Sequence, residues 1–287
     1  MASVLVTGTS TGIGLATALA LGRAGHQVHS TMRNPERAPE LARAVAQEKL
    51  PVTITPMDVD SDSSVAGVMD RIQSNGGHID VLVNNAGIER IGSVEELAMS
   101  EFRAAMETNY FGALRCIQAV APAMRKRGSG CIINVASVAG HVACSPLAAY
   151  TASKFALEAL SEALAQEMKA FNVRVAIVEP GIIETPMAWR ATVPSQSAYR
   201  HVRRFANLYV ATLKNPAPPT LVAQKIQEII ESETWTLRHP VGPDALPFLA
   251  WRAAMTDEEW VEWGALDDDA WYQRLQRDFG MDARPKD

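Results

Sequence analysis

Three side chains that could move a proton lie close together in the middle of the chain: Ser137, Tyr150 and Lys154. Tyr150 and Lys154 are one helical turn apart, so a helix there would place both on one face. A cation at about 4 Å, at an effective dielectric near 20, favours a phenolate by on the order of 4 kcal/mol. That energy corresponds to about three pKa units before desolvation opposes it. The spacing therefore predicts that Tyr150 exchanges protons near neutral pH, as general acid–base catalysis requires.

A glycine-rich loop lies near the start of the chain. Val4–Thr7 is an apolar run typical of a strand, and Gly8, Gly12 and Gly14 follow it as a helical pattern begins near Ile13. Glycine at a strand-to-helix turn permits φ > 0 and lets the backbone approach a pyrophosphate, which the helix N-terminus attracts. The Gly-x3-Gly-x-Gly spacing differs from the Gly-x-Gly-x-x-Gly fingerprint. Taken alone, the loop could also be an ordinary turn.

The end of the second strand indicates which dinucleotide the loop would bind. NAD sites place an acid about 20 residues after the loop, where it binds the ribose 2′-hydroxyl. Here that stretch reads Ser30-Thr31-Met32-Arg33-Asn34 and contains no acid. Arg33 could bind a 2′-phosphate through paired hydrogen bonds. The sequence therefore predicts NADP rather than NAD, the alternative being that Arg33 is a solvated surface charge.

Short apolar runs alternate with helical patterns through the first two thirds of the chain, as in strands buried on both faces of a parallel sheet. We expect strands at Val4–Thr7, Val28–Met32, Val52–Pro56, Val81–Asn84, Cys131–Ala136 and Arg174–Val178. We expect helices at about 13–25, 37–48, 62–75, 99–127, 150–171 and 220–232, followed by a short apolar run at Trp235–Arg238. This alternation predicts one doubly wound α/β domain.

No composition boundary divides the alternating pattern, so residues 1–242 are expected to form one catalytic domain. Within it, residues at about 185–218 are expected to form a helical flap over the substrate. Residues 243–287 are acidic and are expected to form a helical extension, packed on the same domain or on a neighbouring subunit. This extension carries Trp251, Trp260, Trp263 and Trp271.

These residues resemble the short-chain dehydrogenase/reductase family. The matching motifs follow the family's order over about residues 1–190: Thr7 to Gly14, Asp58-Val59, Asn84-Asn85-Ala86-Gly87, Asn109, Ser137, Tyr150 to Lys154, and Pro180-Gly181. The resemblance implies a Rossmann-like sheet of about seven parallel strands. The stretches Thr31–Asn34 and Trp235–Pro243 are similar to the steroid- and retinol-type subgroup, which implies a lipophilic substrate.

The resemblance also implies a role for each matching residue. Ser137 would hydrogen-bond the substrate oxygen, and Tyr150 would give or take its proton. Lys154 would also bind the nicotinamide ribose, and Asn109 would hold a water that links Lys154 to solvent. The implied cofactor contacts are Gly8, Ser10, Thr11, Gly12, Ile13, Gly14, Arg33, Asp58, Val59, Asn85, Tyr150, Lys154, Pro180, Gly181, Ile183 and Thr185. Thr11 stands where many NADP enzymes of the family carry a basic residue, so the NADP prediction depends on Arg33.

Two stretches could line a substrate pocket. The candidates are His141, Val142, Cys144, Leu147, Met187 and Trp189. Most of them are apolar, which suits a hydrophobic secondary alcohol or ketone. The alternative is that the aromatic residues of the flap simply pack on the sheet.

The bulk composition excludes several classes of partner. A net charge of −5 gives no reason to expect nucleic acid, and the three cysteines have no zinc spacing, so we expect free thiols, no metal and a cytoplasmic protein. The sequence shows no secretory signal and no membrane-spanning run. The helices at 99–127 and 150–171 carry apolar faces that, by the resemblance, pair between subunits, so a homodimer or homotetramer is expected.

The sequence thus predicts an NADP-dependent oxidoreductase that interconverts a secondary alcohol and a ketone, with Tyr150 as the acid and base. Two other functions stay open. One is a lyase or epimerase on the same fold that uses the cofactor transiently or structurally. The other is a dinucleotide-sensing binding protein with vestigial catalysis.

Overall fold

The computed structural model describes residues 1–189 and 196–285. Seven parallel strands form one sheet in the order β3-β2-β1-β4-β5-β6-β7. The strands are β1 Ser3–Thr7, β2 Gln27–Met32, β3 Val52–Pro56, β4 Val81–Asn84, β5 Gly130–Val135, β6 Val173–Pro180 and β7 Arg238–Val241. The predicted doubly wound, Rossmann-like sheet is confirmed. The last strand begins where the predicted run at Trp235–Arg238 ends.

Helices connect the strands and cover both faces of the sheet. They are α1 Gly12–Arg23, α2 Pro39–Glu48, α3 Asp62–Ser74, α4 Met99–Met106, α5 Gly112–Arg127, α6 Ala148–Lys169, α7 Pro186–Trp189, α8 Arg200–Thr212, α9 Pro219–Glu231, α10 Ala245–Ala253, α11 Asp257–Ala265 and α12 Asp268–Phe279. The expected flap contains α7 and α8. Residues 190–195 of the flap, and residues 286–287 of the expected extension, lie outside the described residues.

The core forms two layers because successive strand residues point to opposite faces of the sheet. Val4 and Val6 of β1 belong to the cluster that includes Leu21 of α1 and Ile226 of α9. Leu5, between them, belongs to the cluster formed with α3, α5 and α6. Both layers are almost inaccessible to solvent, so the sheet is a rigid platform for the loops at its edge.

The predicted helix at 99–127 is interrupted. A π-helical segment, Glu107–Phe111, separates α4 from α5. Such wider turns inside α-helices occur frequently at functional sites, and this one contains Asn109.

The helices after β7 pack against the flap. Trp271, Tyr272 and Leu275 of α12 are buried together with Leu208 and Ala211 of α8. The side chains of Trp260 and Trp263, predicted to share a helical face, stack with ring centroids 5.0 Å apart. Within the described residues, no helix is both long and apolar enough to span a membrane.

Candidate active site

A cleft of about 340 Å³ lies at the carboxyl ends of the strands, where open α/β sheets bind their ligands. Loops after six of the strands, β1 to β6, line it, together with residues of α6, α8 and α10. It brings together most of the residues singled out from the sequence: Gly8, Ser10, Thr11, Gly12, Ile13, Gly14, Arg33, Asp58, Val59, Asn85, Ser137, Val142, Cys144, Leu147, Tyr150, Lys154, Pro180, Gly181, Ile183, Thr185 and Met187.

In the loop after β1, the glycine backbone packs so closely against other backbone atoms that no side chain fits. A Cβ atom on Gly8 would lie 2.6 Å from the Ala86 Cα atom, and one on Gly14 would lie 2.3 Å from the Gly8 carbonyl oxygen. Gly8 also has φ +71°, which glycine adopts without strain. The Asn85 side-chain amide holds the loop in place by donating to the Thr7 and Gly8 carbonyls at 2.9 and 3.1 Å. The loop thus forms a cradle that only glycine permits.

Helix α1 directs its N-terminus into the same cradle. The helix begins at Gly12, and the side chain of the preceding Thr11 makes no capping hydrogen bond. The first N–H groups of a helix have no partner within it, and the helix dipole gives them a partial positive charge. The loop and helix therefore fit the pyrophosphate of a dinucleotide.

The ends of β2 and β3 close one end of the cleft. Arg33 is exposed there, and its charge acts on the Asp60 carboxyl. Asp60 and Thr108 also line this end and were not singled out from the sequence; the Thr108 hydroxyl donates to Asp60 Oδ2 at 3.0 Å. Burial raises the pKa of Asp60, while the Thr108 hydroxyl and the Arg33 charge oppose the shift.

Ser137, Tyr150 and Lys154 meet in the other part of the cleft. The Ser137 hydroxyl donates to the Pro180 carbonyl at 3.4 Å, and it also interacts with the Tyr150 hydroxyl. Lys154 Nζ lies 5.7 Å from the centre of the Tyr150 ring. It donates to the Val135 carbonyl at 2.8 Å, so the ammonium is fixed at the end of β5.

The pKa of Tyr150 changes in the direction opposite to the one expected from the sequence. Burial and the neighbouring Glu89 carboxylate raise it, and the hydrogen bond with Ser137 does not offset them. Burial also lowers the pKa of Lys154 to about 8. The expected lowering of the Tyr150 pKa counted the Lys154 ammonium before desolvation, and burial of the phenol opposes its ionisation.

Asn109 lies behind the wall of the cleft, in the π-helical segment, with 1% of its surface exposed. Its side-chain oxygen accepts from the Ile88 N–H at 2.8 Å, and its amide donates to the Ile88 carbonyl at 2.9 Å and to Ser153 Oγ at 2.8 Å. A Cβ atom on Gly87 would lie 3.3 Å from Asn109 Oδ1 and 3.8 Å from Lys154 Nζ. Asn109 therefore fixes the loop after β4 beside Lys154.

Two of the six predicted pocket residues, His141 and Trp189, are not among the residues that line the cleft. His141 Nε2 lies 2.8 Å from Glu179 Oε1 and 3.5 Å from Glu158 Oε2. The Arg238 guanidinium approaches the same two buried carboxylates at 3.6 and 3.2 Å. The Arg238 guanidinium compensates buried negative charge, and His141 shares a hydrogen bond with Glu179. His141 therefore belongs to a polar network at the edge of the sheet. Trp189 is 58% exposed.

The other four predicted pocket residues lie in an apolar wall of the cleft. The wall is formed by Val142, Cys144, Leu147 and Met187, together with Phe205, Leu208 and Tyr209 of α8 and Phe248 of α10. Burial raises the pKa of the Cys144 thiol to about 12. The thiol is therefore neutral at physiological pH, which suits a wall residue and not a nucleophile.

Glu89 brings a carboxyl group into this wall, and no sequence motif pointed to it. Glu89 follows the Asn84–Gly87 motif after β4, and its Oε1 atom accepts a hydrogen bond from the Tyr209 hydroxyl at 3.0 Å. Burial raises the pKa of the Glu89 carboxyl to about 7. A single acid in a loop is usually solvated, and this one is buried by residues distant in sequence, among them Tyr209 of α8.

Comparisons with known proteins agree with the fold and the site. The short chain dehydrogenase family model matches residues 2–195. Retinol dehydrogenase 8 from Bos taurus is 35% identical over 272 residues, which cover 88% of this chain and 85% of that protein. The chain therefore belongs to the short-chain dehydrogenase/reductase family, and its retinol-type relatives confirm the subgroup likeness.

Solved structures extend the comparison. A short-chain dehydrogenase from Streptomyces avermitilis has a TM-score of 0.80 at 33% identity, covering 96% of this chain and 98% of that one. An actinorhodin polyketide ketoreductase, solved with NADPH, has a TM-score of 0.75 at 27% identity, covering 85% of this chain and 97% of that one. The protein is thus an oxidoreductase of the kind that acts on CH–OH and C=O groups, and these relatives support a nicotinamide dinucleotide as its cofactor.

Proposed function

We propose that the protein interconverts a lipophilic secondary alcohol and its ketone, with NADP as cofactor. The observation that carries the proposal is the meeting of Ser137, Tyr150 and Lys154 in the cleft that also holds the glycine cradle. When bound, the dinucleotide supplies the hydride and, in its oxidised form, a positively charged ring.

The chain's own residues handle the proton. In ketone reduction the Ser137 hydroxyl donates a hydrogen bond to the substrate oxygen, and the Tyr150 hydroxyl gives that oxygen its proton. The raised pKa of Tyr150 keeps the phenol protonated, which is the form that donates. The Lys154 ammonium, anchored on Val135, stabilises the phenolate that remains, and Asn109 positions the loop beside it.

The NADP preference is assigned to Arg33. Its exposed guanidinium lies at the end of the cleft that would hold the adenosine, where Asp58 and Val59 would flank the base. A guanidinium binds a phosphate through paired hydrogen bonds, and these would hold the 2′-phosphate of NADP.

A lipophilic substrate is favoured by the apolar wall of the cleft, which packs against Tyr150. Leu147, Phe205 and Phe248 present hydrocarbon surface there. Burial of apolar ligand area against such surface is favourable at roughly 25 cal/mol per Å². The retinol dehydrogenase relative supports the same class of substrate.

The test is a panel of alkyl ketones, aryl ketones, steroids and retinoids, each incubated with NADPH and with NADH. We expect stoichiometric loss of absorbance at the reduced-nicotinamide band with at least one lipophilic carbonyl compound. Conversion of an added compound without net absorbance change would instead identify a lyase or epimerase. Tight binding of dinucleotide without conversion of any compound would identify a sensor.

Three further assignments stay predictions. Residues 1–242 form the catalytic domain and residues 243–287 an extension of it. The protein acts in the cytoplasm. It assembles into a homodimer or homotetramer through α5 and α6, where Phe155 of α6 and Phe171, just after α6, are about 40% exposed.

A further inference from the structure

The Glu89 carboxyl group has no role in the proton transfer proposed above, yet it lies in the wall of the cleft. The Tyr209 hydroxyl fixes one of its oxygens, Oε1, at 3.0 Å. The other oxygen, Oε2, is buried and has no hydrogen-bond partner among the described residues. A buried carboxyl oxygen without a partner is energetically unfavourable, more so when charged, so a partner on a bound ligand would recover that energy.

The groups that face Glu89 carry no positive charge. They are the phenols of Tyr209 on α8 and Tyr150 on α6, and the thiol of Cys144. Arg90, the next residue, donates to the Glu89 backbone carbonyl at 2.9 Å, and its guanidinium pairs with another acid, Glu101. Within residues 1–189 and 196–285, Glu89 forms no ion pair with a lysine or arginine.

An ionised carboxylate in such surroundings lacks the cation that buried charges normally have. Removal of a charge from water is unfavourable unless an opposite charge compensates it. This unfavourable carboxylate lies close to the reactive tyrosine, since the charge of Glu89 shifts the pKa of Tyr150. A cationic group on the substrate would supply the missing partner at that place.

We propose that Glu89 binds a protonated amine on the substrate, so that the enzyme prefers lipophilic amino ketones and amino alcohols over their neutral counterparts. Tyr209 positions the carboxylate through Oε1, and Oε2 receives the ammonium. This inference rests on the proposed alcohol–ketone activity and names the substrate class of the same site.

The test compares three matched ketones that differ in one terminal group: an ammonium, a methyl and a hydroxyl. The measured quantity is the ratio of kcat/KM for the amine to kcat/KM for the methyl compound at pH 8. Glu89→Gln also changes the pKa of Tyr150, but that change affects the turnover of both compounds equally. It therefore cancels in the ratio. We expect a ratio of at least tenfold in the native protein and a tenfold or greater fall in Glu89→Gln.

Glu95→Gln is the matched control, because Glu95 lies on the same loop and bonds the Tyr199 hydroxyl outside the cleft. In Glu95→Gln the ratio of kcat/KM for the amine to kcat/KM for the methyl compound should equal that of the native protein. In the native protein the ratio should also decline as the pH falls through about 7, where Glu89 gains its proton while the amine stays charged.

Different outcomes overturn different claims. A native ratio near one, or a ratio that Glu89→Gln leaves unchanged, refutes the amine site while the methyl ketone still reports reductase activity. A hydroxyl compound that is preferred as strongly as the amine refutes recognition by charge. Absence of turnover with all three ketones refutes the alcohol–ketone activity itself, together with this inference.

Discussion

The hydroxyl of Tyr150 is the proton donor in the proposed reduction, and its raised pKa keeps it in the acid form. Tyr150→Phe removes the proton and leaves the ring. We expect kcat to fall by about 10²–10⁴, the usual contribution of a general acid, measured as steady-state oxidation of reduced cofactor. Tyr272→Phe is the control, since Tyr272 is a buried tyrosine of α12 that does not line the cleft. A Tyr150→Phe protein with more than a tenth of native kcat would refute the role.

Arg33 is expected to determine the choice of dinucleotide. Arg33→Ala removes a charge-assisted bond worth about 1.5–3 kcal/mol. The ratio of kcat/KM with NADPH to kcat/KM with NADH should therefore fall by about 10- to 100-fold. Arg37→Ala, which removes an exposed arginine a few residues away that does not line the cleft, should leave the ratio as it is. If Arg33→Ala and Arg37→Ala had the same NADPH-to-NADH ratio of kcat/KM, Arg33 would be a solvated charge.

Glu89 should also make stability depend on pH. Its pKa rises from 4.5 to about 7 on folding, so between these values the folded chain holds a proton that the unfolded chain has released. The free energy of unfolding therefore falls as pH rises through this window, by up to about 3 kcal/mol. Urea unfolding at pH 5 and pH 8 should show a smaller loss in Glu89→Gln than in the native protein. The same loss in both proteins would contradict a buried, titrating carboxyl.

The sequence predicted the residues whose signal is local. Gly14, Ser137 and Tyr150 lie in short motifs, and all three line the cleft. The sequence did not predict the direction of the Tyr150 pKa shift or the part played by Glu89. The pKa shift of Tyr150 and the role of Glu89 both depend on burial by α8 and on charges that the fold brings together. The spacing of residues along the sequence does not indicate either of them.

Among the secondary-structure elements, the strands were predicted most closely, because buried parallel strands are nearly continuous apolar runs. The bounds of β3 and β4 agree with the prediction at both ends. The helix at 99–127 was predicted without its interruption. The π-helical turn follows from the hydrogen bonds of Asn109 with Ile88 and Ser153, partners that helical periodicity does not encode.

The turn from β1 into α1 tolerates no side chain at Gly14. Gly14→Ala would place a Cβ atom 2.3 Å from the Gly8 carbonyl oxygen and 2.5 Å from Asn85 Nδ2. The cradle must then open, and we expect dinucleotide affinity to fall at least tenfold in a fluorescence titration.

Gly67→Ala is the matched control for that substitution. Gly67 lies in α3, where an added Cβ atom meets nothing within 4 Å. Alanine should stabilise that helix by about 0.5–1 kcal/mol without change in affinity. Native affinity in Gly14→Ala would show that the loop does not bind the pyrophosphate closely.

At the scale of the whole molecule, one buried cation joins the flap to the helices after β7. Arg204 of α8 is 1% exposed and bonds Asp268, the Gly264 carbonyl and the Leu266 carbonyl. Arg204→Ala removes the buried donor of the Leu266 carbonyl, while Asp268 keeps Arg203 and the Gly264 carbonyl keeps His201. We expect a loss of about 3 kcal/mol in the free energy of unfolding, together with faster proteolysis after residue 242.

The neighbouring Arg203 allows a direct comparison. It pairs with the same Asp268, but its side chain is 67% exposed. Exposed ion pairs contribute about 0–1 kcal/mol, so Arg203→Ala should unfold at nearly the native urea concentration. Equal destabilisation by the two substitutions would show that burial of Arg204 does not matter.

The bond from Trp260 Nε1 to the Ala143 carbonyl joins α11 to the segment between Ser137 and Tyr150, and Phe248 of α10 reaches the cleft itself. All residues assigned to proton transfer precede position 155, whereas this part of the wall is encoded after position 242. Genetic recombination at that junction would thus exchange which alcohols the enzyme accepts while the reaction it performs on them is inherited intact.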